Sequence, residues 1–135
     1  MDLVIKKIIV SKKKSHGQRN QKLSEDLLNG KTYYDWVITT AFYSAIHFVE
    51  DKILPCKIIS IECKNITDVK SAYKMNGRHS SRERLVFSHL PMIAAQYKWL
   101  DDASRYSRYI TYKVTSAQAN KAKQYLAEIY AECYK

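Results

Sequence analysis

The chain is short of the residues that interrupt regular structure. Its 135 residues hold three glycines and two prolines. An all-β fold would need a turn about every ten residues, so this scarcity excludes one and favours long helices with few connections. Long apolar runs are missing as well: nothing approaches the roughly 18 residues of a membrane span, and no membrane partner is expected. The first ten residues are apolar, but Lys6 and Lys7 interrupt them and no small-residue cleavage site follows, so they do not read as a secretion signal. Cys56, Cys63 and Cys133 are odd in number and lack the paired short spacing of a zinc site. They read as reduced thiols in a cytoplasmic protein, with no metal and no cofactor expected.

Acidic residues are also scarce. Against 13 Asp and Glu stand 23 Lys and Arg, a net charge of +10. A field of that sign draws polyanions and raises their encounter rate, which points to nucleic acid or an acidic protein as partner. A hydrophobic fraction of 46% and a charged fraction of 27% are ordinary for a folded domain, and the length suits one core.

Residues 1–14 form a lysine-rich leader, followed by a single helical domain over residues 15–135. A first helix is predicted over residues 15–29, with His16, Asn20, Leu23 and Leu27 on its inner stripe and Asn29-Gly30 as its stop. A second starts at a Thr32/Asp35 capping-box pattern and closes at Pro55. It carries an apolar face (Ile38, Phe42, Ala45, Val49 and Ile53) and a second stripe of Trp36, Tyr43, His47 and Glu50, so it should sit centrally. Residues 55–78 resist assignment beyond a short extended piece near residues 58–61 and one or two helical turns near residues 68–73. A third helix is expected from a Ser80/Glu83 capping box, broken near Pro91 and continuing through Ile93, Tyr97, Leu100 and Ser104. The last presents Ala119, Ala122, Leu126, Ile129 and Cys133 on one side. The expectation is an all-α, up-and-down bundle of four to five helices.

Several residues have chemistry to offer. Tyr34-Asp35-Trp36, the run from Ala41 to Ala45, His47 and Glu50, then His79-x-x-Arg82, and then Leu100 with Ser104-Arg105 and Arg108-Tyr109 occur in order at helix-compatible spacings. In this the chain resembles prokaryotic HEPN-domain proteins over residues 15–134. The resemblance implies a helical bundle that usually dimerises. Many such proteins are metal-independent ribonucleases of toxin–antitoxin or defence systems, with an arginine followed four to six residues later by a histidine, and two copies meeting across the dimer. Other members lack the pair and act as binding modules.

Here Arg84 precedes His89 with four residues between, and Arg82 precedes it with six. Residues seven apart on a helix project almost alike, whereas residues five apart diverge by about 140°. Arg82 and His89 are therefore the first choice of catalytic pair, with Arg84 and His79 nearby. A histidine can move the proton of the RNA 2′-hydroxyl, and an arginine fork can stabilise charge on the phosphate. Tyr43, His47 and Glu50 would line the cleft, the first and last orienting the ring between them. Arg105, Arg108 and Tyr109, with Lys12, Lys13 and Lys14 of the leader, would hold RNA, the tyrosine by stacking on bases. The leading expectation is a homodimeric, RNA-engaging protein with endoribonuclease activity, partnered by an antitoxin or another protein. The alternative is a non-catalytic module that binds a nucleotide or a partner protein.

Overall fold

A computed structural model describes residues 11–135; the first ten residues of the expected leader over residues 1–14 lie outside them. Six α-helices occupy the described residues: α1 (Lys12–Asn29), α2 (Tyr34–Ile53), α3 (Ile66–Tyr73), α4 (Arg78–His89), α5 (Ala94–Tyr109) and α6 (Ser116–Cys133). The bundle is all-α in its framework, but the expected count of four to five helices is too low. The break at Pro91 is complete: Leu90 leaves the helical region at φ −130° and ψ 59°, and the 3-10 turn Pro91–Ile93 separates α4 from α5. Helix α3 lies in the stretch that resisted assignment. The side chain of Asn65 caps its first turn by accepting the Asp68 N–H at 2.9 Å. Before it, strands β1 (Cys56–Ile58) and β2 (Ile61–Cys63) form a hairpin whose two turn residues, Ile59 and Ser60, are both left-handed, at φ 48° and 66°.

The central helix is α2. It packs against α1, α5 and α6, and more narrowly against α4. Its apolar side, Ile38, Phe42, Ala45 and Val49, is sealed from solvent and joins Leu85, Val86, Tyr97, Leu100, Leu126 and Ile129 in one core. Ile58, Cys63, Ile66 and Val69 extend that core under the hairpin.

The seam between α1 and α2 departs from the expected leucine stripe. Leu23 is 46% exposed, and the buried residues of α1 are Gly17 and Ser24. A Cβ at Gly17 would come within 2.5 Å of the Phe48 ring, so the absence of a side chain there lets the two helices approach closely. Hydroxyls complete the seam: Ser24 donates to the Val37 carbonyl at 2.9 Å, and Ser44 to the Gly17 carbonyl at 2.7 Å. Helix α1 begins at Lys12, inside the presumed leader, with Ser11 as its N-cap.

Two expected caps are not formed. Tyr33, left-handed at φ 52°, stands at the N-cap of α2, and Gly77 at that of α4, neither with a side-chain cap bond. A full capping box closes α6 instead, between Thr115 and Gln118.

Candidate functional site

The second stripe of α2 faces a charged seam rather than open solvent. The ring of His47 stacks on that of His16, with centroids 4.0 Å apart and planes at 24°. This contact depends on the close approach at Gly17, one residue along α1. One turn further along α2, Glu50 accepts from Arg82 Nε of α4 at 2.8 Å, and Lys13 approaches its other oxygen at 3.8 Å. Arg82 and Glu50 are both largely buried, with side chains 9% and 13% exposed. A buried pair of this kind holds helices in register and is costly to split.

Nearer the start of α2, Tyr43 accepts a hydrogen bond from Arg108 Nη1 at 3.2 Å, and the same guanidinium lies 5.1 Å from the centre of the Tyr109 ring. One turn before Arg108, Arg105 Nε donates to Asp101 at 3.0 Å. The Asp101 carboxylate is 1% exposed, and burial raises its pKa while Arg105 and His79 oppose the rise. His79, at the start of α4, lies over Phe42 with ring centroids 6.4 Å apart. Tyr97 and Ser104 share the inner stripe of α5 with Asp101, and their buried hydroxyls lack a well-formed hydrogen bond among the described residues. Burial pushes the Tyr97 phenol well up.

Burial lowers the pKa of His79 first, and the positive fields of Arg82, Arg105 and Arg108 lower it further, with Asp101 pulling the other way. His47 is lowered by burial, then by His16, against Glu50. Both imidazoles are therefore neutral at pH 7, with a free lone pair able to take a proton. Around them stand four cations (Lys13, Arg82, Arg105 and Arg108) and two carboxylates (Glu50 and Asp101). The surplus is positive, as an anionic ligand requires.

The structure thus joins Tyr43, His47, Glu50, His79, Arg82, Arg105 and Arg108 in one seam, from stretches of sequence up to 65 residues apart. It does not join His89 to Arg82. Arg82 is turned into the Glu50 pair, whereas His89 is exposed in the last turn of α4, its Nδ1 3.0 Å from the Leu85 carbonyl. Arg84 points elsewhere: its guanidinium covers the Tyr73 ring at 4.2 Å, beside a shallow pocket lined by Met75, Glu83, Phe87 and Lys98. Of the lysines, Lys13 reaches Glu50, Lys14 covers the Tyr134 ring at 4.4 Å, and Lys12 is exposed. Asp101 and His16 belong to the seam; the first was not singled out from the sequence, and the second was placed on the inner stripe of α1 without a role in the site. The i, i+4 spacing of Asp101 and Arg105 was the legible signal for the first; His16 had none.

Among the described residues no group of three or more His, Cys, Asp or Glu is gathered closely enough to hold a metal ion, and no helix is long and apolar enough to cross a membrane. A scan against protein-family models and searches of curated proteins and of solved structures return no match to this chain.

Proposed function

We propose that this chain is a HEPN-like protein that engages RNA and cuts it without a metal, at the seam between α2, α4 and α5. The observation that carries the reading is the gathering of the His79 imidazole, which lies over Phe42, with Arg82, Arg105 and Arg108 and the buried Asp101 carboxylate. In this reading His79 takes the proton of an RNA 2′-hydroxyl. The 2′-oxygen then attacks phosphorus, the bond to the 5′-oxygen breaks, and a 2′,3′-cyclic phosphate forms. Arg105 and Arg108, the more accessible of the arginines, stabilise charge on the phosphate oxygens. Arg82 acts through Glu50 as a positioning residue. Having taken that proton, the His79 imidazolium, or that of a second copy brought alongside as the HEPN resemblance implies, returns one to the leaving 5′-oxygen. A role in a toxin–antitoxin or defence system follows from that resemblance alone.

The test is cleavage of end-labelled RNA by purified protein in a chelator, with an all-deoxy strand as control. Cyclic-phosphate ends are expected on RNA and no cutting of DNA. His79→Ala should reduce the rate about 100-fold or more, with circular dichroism unchanged; His89→Ala should retain it. The reverse ranking would move the chemistry back to the end of α4. Absence of any turnover by the wild type would leave the second reading, a non-catalytic binding module. The pairing of Arg82 with Glu50 and of Arg105 with Asp101 favours that reading, because a guanidinium already engaged by a carboxylate has less charge to offer a reacting phosphate.

A further inference from the structure

A groove of about 750 Å³ opens where the turn between α1 and α2 meets the segment between α5 and α6. It is lined chiefly by Tyr33, Tyr34, Trp36, Tyr112 and Lys113, with Asp35 its one carboxylate. Three of these rings are largely in water: Tyr33 is 64% exposed, Trp36 50% and Tyr112 68%. Leaving so much aromatic surface uncovered in one place is unfavourable and marks a binding surface. The turn that carries Tyr33 is left-handed at Lys31 and Tyr33, with φ 54° and 52°. Next to the groove, a second concavity shares Tyr34 and is edged by Lys31 and Lys123. None of Lys31, Lys113 and Lys123 joins an ion pair among the described residues.

Rings interleaved with unpaired ammonium groups suit a ligand with flat apolar faces and a negative backbone, and not an apolar protein helix, which would leave the lysines unanswered. The groove is also aligned with the charged seam. Trp36 and Tyr43 are seven residues apart on α2, so they share a face and stand about 10 Å apart along the axis. We infer that this groove seats the unstacked bases of a single-stranded RNA, their phosphates held by Lys31, Lys113 and Lys123, so that unpaired rather than duplex RNA is the ligand. The inference rests on the RNA-engaging reading above and narrows it to one class of strand.

Trp36 provides the probe. In a Trp99→Phe background it is the sole tryptophan, and its emission should be quenched on titration with a single-stranded oligouridylate but not with a blunt RNA duplex of the same length. Trp36→Ala and Tyr112→Ala should each weaken binding of the single strand about tenfold or more, because each removes a stacking face, while Trp36→Phe restores most of it. Duplex affinity should stay unchanged in all three. Equal quenching by duplex, or single-strand affinity indifferent to Trp36→Ala, would overturn the groove assignment and leave RNA binding at the seam intact. If the wild type binds neither RNA, the RNA-engaging reading fails and the groove assignment with it.

Discussion

The two sides of α2 are built on opposite rules. One side, through Ile38, Phe42, Ala45 and Val49, meets mostly apolar neighbours and is closed to water. The other, through Trp36, Tyr43, His47 and Glu50, meets arginines, a histidine and an open aromatic groove. The dry side gains from area alone and tolerates little change of volume. The polar side gains from pairing, and each group there is costly mainly when its partner is taken away. Stability is concentrated on the first and chemistry on the second, so substitutions should separate them.

The largest effect is expected on the dry side. Phe42→Ala removes a fully buried ring and should cost about 3–5 kcal/mol of unfolding free energy, read as a lower urea midpoint. A loss near 1 kcal/mol would show that α2 is not the organising helix. Arg82→Ala comes next, at about 3 kcal/mol or more, because it leaves the Glu50 carboxylate without its main partner. Replacing both residues, Arg82→Met with Glu50→Leu, should recover most of that loss. Failure to recover would mean that Arg82 stabilises through contacts other than Glu50.

Gly17→Ala sharpens the comparison at the close seam. Alanine is the better helix former by about 1 kcal/mol, yet its methyl meets the Phe48 ring, and overpacking costs about 1–3 kcal/mol. A net loss is expected, together with a weaker His16–His47 stack, visible as a shift of the His47 imidazole resonances. The smallest effect is that of pH. His47 and His79 hold pKa values below 6.5 in the folded chain. The unfolded chain therefore binds protons first, and the stability that these groups contribute is full above pH 6.5 and lost as pH falls below it. Asp101, raised from 3.8 by burial, has the opposite sign: its contribution is full below pH 3.8 and is lost as pH rises above it. The urea midpoint should fall from pH 7 to pH 5, less steeply in a His47→Gln, His79→Gln variant.

Much of the framework was legible because periodicity reports burial. The apolar positions named for α2, α5 and α6 are the buried ones. The seam between α1 and α2 was not legible, because a glycine and two serines carry no hydrophobic signal even where they make the tightest contact. Helix α3 was legible only as one or two turns near residues 68–73, because its eight residues are too few for a helical period to stand out. The caps assigned from Thr32 and Ser80 failed because a pattern of residue types does not fix where a helix begins: α2 starts after a left-handed Tyr33, and Ser80 lies inside α4. The candidate site was half legible. His47, Glu50, His79, Arg82, Arg105 and Arg108 were each marked, but a one-dimensional rule paired Arg82 with a histidine on its own helix. Its ion-pair partner is 32 residues away on α2, a relation that spacing along one helix cannot express.

One unbroken rod carries both Trp36 and Glu50, and it behaves as a screw. A single residue inserted between Trp36 and Tyr43 would turn the aromatic end by about 100° against the charged seam and advance it by about 1.5 Å. Seven inserted residues would bring the two ends back into phase at greater separation. The groove and the seam are geared to one another by helical pitch, with no hinge between them to take up an error.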